Sequence, residues 1–568
     1  MSGSSFEAPE FDAPEFDAIV VGSGITGGWA AKELTEAGLK VLMIERGRAI
    51  RHQQDYDTEM KAPWEMPYRG QGDTALYDRE YPVQALNRHF NEFTQGHFVN
   101  DAENPYATAP GTDFTWFRSY QLGGRSLTWG RQAYRWSDYD FDANRRDGHG
   151  TDWPIRYADL APWYDKVEEF IGVSGAAEGL AQLPDGRFQP PMALNAVERH
   201  AREAIRARWP ERCLTIGRTA NLTQAKEDRS PCQFRSICAR GCSFGAYFST
   251  QSSTLPAARK TGRLTVITDA VVEALEHDPR TRRITGVRFL DTRTRVRRRS
   301  TSRIVFLNAG AFNSVQILLA SAPGGLANSS GVLGTHIMDH ANTLSAMALM
   351  PGFEGHTSFG NRPTGIVIAR YRNMDALDGA GHTRGYSFQG GALQSGWTAG
   401  KREAGIGEDY KAKLRAPGMW RMVLVGFADC VPRPTNRLTL DRNRSDAHGL
   451  PQLRVDFAFG KEEHAALAQA KADAADMLAA AGGRVLMGFD RPGPGGTAIH
   501  EMGGARMGHD PSTSVLNKWS RAHDIANLFV TDGAQMSSSA CQNPSLTYMA
   551  LTARACDAAV SMLREGRI

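Results

Sequence analysis

The chain has 568 residues, of which 41% are hydrophobic, 23% charged and 9% aromatic; these are globular proportions and exclude a disordered or fibrous chain. Its 66 basic and 62 acidic residues leave a net charge of +4, which points to no nucleic acid or other polyanion as partner. No apolar run approaches the ~18–20 residues of a membrane helix, so no direct membrane span is expected, and the length suggests two or more domains or one two-lobed body.

The chain begins with a repeat, Ala8-Pro9-Glu10-Phe11-Asp12 followed by Ala13-Pro14-Glu15-Phe16-Asp17. Its first copy reads as a flexible lead-in, and the charged, apolar, small-residue order of a secretory signal is missing. Ala18 to Val21 is a short β-branched apolar run, as expected of a buried parallel strand. Gly22, Gly24 and Gly27 follow at G-x-G-x-x-G spacing. The next segment predicts a helix with Ala30, Leu34 and Ala37 on one face, ending near Gly38. A second strand, Val41 to Ile44, ends at Glu45, 23 positions after Gly22. Strand, turn, helix, strand and acid in this order make a dinucleotide site. The glycines let a pyrophosphate approach a helix N-terminus, and the acid accepts from ribose hydroxyls. This much fits FAD and NAD equally.

Further along come aromatic-rich pieces, Trp153, Trp163 and Tyr164, then Tyr386, Phe388 and Trp397. They could pack on sugar C–H faces, although for any single one ordinary core is the favoured reading. Three of the seven cysteines, Cys232, Cys238 and Cys242, stand together as Cys-x5-Cys-x3-Cys. Such a trio suits a soft metal or an iron–sulfur cluster; structural zinc wants a fourth ligand, and free thiols or a redox disulfide are the plainer alternatives. The basic stretch from Arg288 to Arg303 alternates with apolar residues and reads as strands with one solvated face. The Gly-rich segment 352–400 reads as loop, with a lid as its functional version. Asn543 reads as a helix N-cap with Pro544 at the first helical position, opening a helix to about Arg564.

Four separated stretches give the chain an end-to-end resemblance to the glucose–methanol–choline (GMC) flavin oxidoreductases. They are the glycine fingerprint; Leu122 to Gly130, which resembles a glycine-serine flavin loop; Ile304 to Ala311; and the C-terminal segment. The last contains His500-Glu501-Met502-Gly503-Gly504, then Asn527 to Gly533, then Asn543-Pro544-Ser545. Within the family the look is closest to bacterial sugar dehydrogenases, including glucoside 3-dehydrogenases, and to pyranose oxidases.

The resemblance implies an α/β fold: a Rossmann-like FAD-binding lobe from residues 14–150, 213–335 and 490–568, carrying the cysteine cluster at 232–242. A second, substrate-binding lobe is built on a β-sheet from 151–212 and 336–489. FAD is the implied cofactor, held by Gly22, Gly24, Gly27, Glu45, Gly124, Ser126, Thr128, Asp532, Gly533 and Pro544. Thr128 stands about where some pyranose oxidases carry a histidine bonded to FAD, so the cofactor is expected to be non-covalent. His500 matches the family's base and Asn543 the residue that orients the hydroxyl. Histidine titrates near neutral pH and an amide both donates and accepts, which suits removal of a hydroxyl proton while a hydride leaves carbon. Cys232, Cys238 and Cys242 match the spacing that holds a three-iron, four-sulfur (3Fe-4S) cluster in some of these dehydrogenases.

The function so implied is oxidation of a secondary hydroxyl of a sugar or glycoside, tilted toward C3. Electrons would leave through the cluster to a cytochrome c-type acceptor, with a small subunit as partner. The implied compartment is the periplasm, with membrane association through partner subunits; the missing signal keeps the cytoplasm as the other reading. A sugar oxidase reducing O2 shares every flavin motif. A non-catalytic flavin-binding subunit with structural zinc is the rival of another class, and His500 and Asn543 argue against it.

Overall fold

The computed structural model describes residues 16–358, 360–394, 404–416 and 418–568. The first copy of the N-terminal repeat and Trp397 lie outside the described residues. Phe16–Val21 is the central strand of a five-stranded sheet in the order Leu528–Val530, Ser302–Leu307, Phe16–Val21, Val41–Ile44, Leu264–Ile267. All neighbours are parallel. Such strands are apolar throughout because both faces are covered. Ala18 and Val20 pack with Ala30, Leu34, Ala559 and Leu563, from the helices Ile25–Glu36 and Ser545–Arg564. Ile19 and Val21 face the other way, onto Phe312 and Val315 of the helix Ala311–Ser321. The chain runs outward on one side of the central strand and returns on the other. A crevice therefore opens beyond the carboxyl ends of Phe16–Val21 and Ser302–Leu307, where strand order reverses.

The basic stretch behaves as expected. Arg283–Asp291 and Arg297–Ser300 pair antiparallel, and on the solvated face Arg288 and Arg297 meet Glu273 while Arg299 meets Glu276.

A second, six-stranded sheet has the order Arg484–Met487, Ala341–Met350, Trp420–Ala428, Tyr386–Gln394, Ile366–Ile368, Leu214–Ile216, and every pairing in it is antiparallel. One face is closed by the helices Lys461–Ala480 and Ala196–Arg208, whose Leu467, Ala470, Val197 and Ile205 share a core with Met422, Leu424 and Phe388. The two lobes interleave in sequence. Leu214–Ile216, in a stretch expected in the first lobe, pairs within the second sheet. The helix Tyr157–Ile171, expected in the second lobe, packs on the C-terminal helix through a Tyr164–Thr547 hydrogen bond of 2.7 Å.

Two expectations are corrected. The segment 352–400 is not simply loop, because Ile366–Ile368 and Tyr386–Gln394 are strands of the second sheet; its glycines hid them. The C-terminal helix starts one residue later than read, with Pro544 in the cap position and Ser545 first, so Asn543 does not cap it. The aromatics follow the core reading: Trp153, Tyr164, Tyr386 and Phe388 are fully buried. Among the described residues no helix is long and apolar enough to cross a membrane.

Candidate active site

The crevice is a cleft of about 1790 Å³, its open mouth included. The fingerprint glycines each do a different job in it. Gly22 has φ +89°, and a Cβ there would meet the Asn308 carbonyl at 2.4 Å. A Cβ on Gly27 would lie 1.9 Å from the Gly22 carbonyl. Both are required by packing inside the protein. Gly24, at the N-cap of Ile25–Glu36, has nothing within 4 Å of where its Cβ would stand. The bare backbone there faces open cleft at a helix N-terminus, as a pyrophosphate needs. Gly24→Val should therefore fold and purify without FAD, whereas Gly27→Val should fail to fold. Circular dichroism and flavin content check this, and full flavin occupancy in Gly24→Val contradicts it.

The remaining expected FAD residues gather around the same cleft. Glu45 accepts from Ser23 N (3.0 Å) and Gly47 N (2.9 Å), and burial raises its pKa. Gly124 faces Gly24, a Cβ on it being 3.5 Å from the Gly24 Cα. The Ser126 hydroxyl donates to the Gly123 carbonyl (2.6 Å) and accepts from Thr250 N (3.0 Å), so it shapes the turn. Thr128, Gly533 and Pro544 line the cleft. Asp532 accepts from Gly310 N (2.9 Å) and Ala534 N (2.9 Å); burial pushes its carboxyl up to about 6. The buried Asn308 side-chain nitrogen lines the cleft without a protein partner. An orphan donor and an open glycine cradle fit a bound dinucleotide.

At one end of the cleft His500 and Asn543 meet. The Asn543 oxygen accepts from Gln389 Nε2 (2.6 Å), which turns its amide NH2 toward His500 Nε2 (3.0 Å). His500 Nε2 is then an acceptor, and its proton sits on Nδ1, facing His340 Nδ1 at 3.0 Å. The Asp339 carboxylate accepts from the backbone N–H groups of Gly496 (2.8 Å), Ala498 (3.2 Å) and His500 (3.0 Å), fixing the segment that carries His500. Arg125 binds Glu501 through both carboxylate oxygens and ties the glycine-serine loop to the histidine motif. Sequence reading missed His340, Asp339, Gln389 and the Arg125–Glu501 pair. The only local signal was the pair Asp339-His340 just before the strand Ala341–Met350.

Burial, then His340 and Arg125, hold the His500 pKa well below 6.5, so the ring is neutral and able to take a proton. A base needed neutral loses activity only as pH falls through its own pKa. If His500 is the base, its acid limb should thus lie well below the ordinary 6.5 of histidine. Asp339, pushed up to about 7 by burial and by Glu501, is the group able to add a limb near neutrality, and Asp339→Asn should remove it. Flavin reduction measured against pH checks this; a limb at 6.5 in both proteins contradicts it.

The three cysteines come together in one partly buried loop, all as free thiols. The Phe234 N–H donates to Cys232 Sγ at 3.4 Å and Arg235 reaches Cys242 Sγ at 3.9 Å. The 3-10 turn Cys238–Arg240 packs on the turn Gly124–Leu127 of the flavin loop, and Tyr247 donates to the Leu127 carbonyl between them (2.8 Å). Among the described residues the only acid, histidine or cysteine trio with ligand atoms within 4.8 Å is Asp339, His340 and His500. The three sulfurs therefore do not all lie within 4.8 Å of one another, whereas tetrahedral zinc with 2.3 Å bonds would set them about 3.8 Å apart.

Family models described as GMC oxidoreductase match residues 16–342 and 432–552. The chain is 27% identical to the fructose dehydrogenase large subunit of Gluconobacter japonicus over 96% of this chain and 98% of that protein. It is 27% identical to a 2-methyl-1,2-propanediol dehydrogenase of Mycolicibacterium austroafricanum, over 95% of this chain and 94% of that one. Pyridoxine 4-oxidase from Mesorbium loti has a similar fold, with a TM-score of 0.58 at 18% identity, covering 95% and 98% of the two chains.

Proposed function

From the premise that the chain belongs to the GMC oxidoreductase family and is a FAD-dependent enzyme acting on CH–OH groups, we propose that it oxidises a secondary hydroxyl of a sugar or glycoside to a ketone. The observation that carries this is the hydrogen bond from Asn543 to His500, which lines the dinucleotide cleft. A substrate hydroxyl takes the place of the 3.0 Å contact between Asn543 Nδ2 and His500 Nε2. Its oxygen accepts from the amide and its proton points at the ring nitrogen. FAD, when bound, accepts the hydride. His500 takes the hydroxyl proton on Nε2, and its Nδ1–H, directed at neutral His340, steadies the resulting cation. Asn543, held by Gln389, keeps the carbon oriented.

The finer reading is a dehydrogenase. Cys232, Cys238 and Cys242 hold an iron–sulfur cluster of the 3Fe-4S type, which when bound supplies one-electron exchange, and a cytochrome-type carrier is the acceptor. Met60, Trp64 and Phe244 support a protein partner here. They are 76%, 74% and 39% exposed, and Arg235 of the cysteine loop reaches Met60 Sδ and stacks on Phe244. Both full-length relatives named above are dehydrogenases, and the name of one makes it a large subunit, which supports a small subunit as partner; a periplasmic complex belongs to the same reading. The division into an FAD lobe and a substrate lobe belongs to the same reading, with Leu214–Ile216 counted in the second. Turnover in air tests the acceptor. Dye or cytochrome reduction without matching peroxide is expected, and peroxide at the turnover rate supports the oxidase reading instead.

A further inference from the structure

The six-stranded sheet turns one face to its helices and the other toward the catalytic pair. Cross-strand register identifies the second face. Gln389, which holds Asn543, lies in a row with Val425 and Leu344. The next row on that face is Gly391, Val423 and Met347, joined by Met487; the one after is Leu393, Arg421 and Leu349. Phe427, two positions the other way, packs edge-on to His340 and tilted against His500. Same-face rows are about 7 Å apart, so an apolar strip runs about 14 Å outward from the Gln389–Asn543 contact and meets a guanidinium at its end. The strip is not core: Val423, Val425, Met347 and Leu349 are half-buried, and Leu393 and Met487 are 67% and 45% exposed. A free sugar can rest one C–H face on part of such a wall but is too short to cover its length.

We infer that the substrate carries an apolar group pointing away from the reacting hydroxyl, and that this group lies along the Leu344–Leu393 face: an alkyl or aryl glycoside in preference to a free sugar. The inference rests on the reading of His500 and Asn543 as the hydroxyl site. The strip begins at the residue that holds Asn543, and its width of three strands suits a chain or ring lying flat. A half-open apolar wall returns about half the free energy of full burial, or about two-fold in affinity per methylene.

The test uses the FAD-loaded enzyme, anaerobically, with methyl, butyl and octyl glucosides below micelle-forming concentrations. The half-saturating concentration for flavin reduction should fall about 10²-fold from methyl to octyl. Val423→Asp and the fold-tolerant Leu393→Glu should pull the octyl-to-methyl ratio back toward one. If no glucoside reduces the flavin, the sugar reading fails. The strip is then read by perturbation of the oxidised flavin spectrum, in which octyl glucoside should still bind about 10²-fold tighter than methyl glucoside. Equal affinities along the series, or a chain-length gain untouched by both substitutions, would overturn the inference.

Discussion

Replacing His500 with alanine should slow flavin reduction by substrate about 10²–10⁴-fold, the usual worth of a positioned base, while FAD stays bound. Retention of FAD is expected because the glycine cradle, Glu45 and Asp532 are held by their own hydrogen bonds and none of these involves the His500 ring. Loss of rate has a stated atomic cause. Among the described residues His500 Nε2 is the only ring nitrogen hydrogen-bonded to Asn543, and His340 sits behind it on the Nδ1 side, where it cannot reach the same hydroxyl in its place. Rapid-mixing absorbance at the flavin band reads the effect. A variant that reduces at the wild-type rate would remove His500 from the chemistry.

Cys238→Ser should separate two half-reactions. Iron, acid-labile sulfide and the broad visible absorption of a cluster should be lost. Flavin reduction should survive, since on the proposed reading the hydroxyl proton goes to His500 and the hydride to the flavin, and neither step uses the cysteines. Turnover with a cytochrome-type acceptor should collapse, while turnover with a small dye should fall less. Cys238 opens the turn that packs on Gly124–Leu127, so a purely structural cysteine would, when replaced, disturb the flavin loop and both activities together. Selective loss of the protein-acceptor reaction is thus the informative result. Wild-type protein prepared anaerobically without iron would end the cluster reading.

Legibility in the sequence followed contact range. The first strand, helix and second strand were readable to within a residue or two because their signals are local: an apolar run, glycines at fixed spacing, an acid at the strand end. His500 and Asn543 were found through resemblance, and the three cysteines by their spacing. What lay hidden depends on register and long-range pairing. Arg125 and Glu501 are 376 positions apart, and Gln389 reaches Asn543 across 154. Gly390 and Gly391 made Tyr386–Gln394 look like loop, and only its place between two neighbours reveals it as a strand facing the site. The helix start shifted by one residue because Pro544 takes the cap position and the Asn543 side chain is drawn to His500 and Gln389.

The most direct measurement is anaerobic addition of a panel of sugars and glycosides to the purified, FAD-loaded protein while the oxidised flavin band is followed. Bleaching by at least one of them, with one equivalent of ketone formed per flavin and no bleaching in the His500→Ala protein on the same time scale, is what hydroxyl oxidation at the His500–Asn543 pair predicts. A flavin that stays oxidised through the whole panel, or one that bleaches equally fast without His500, would contradict it.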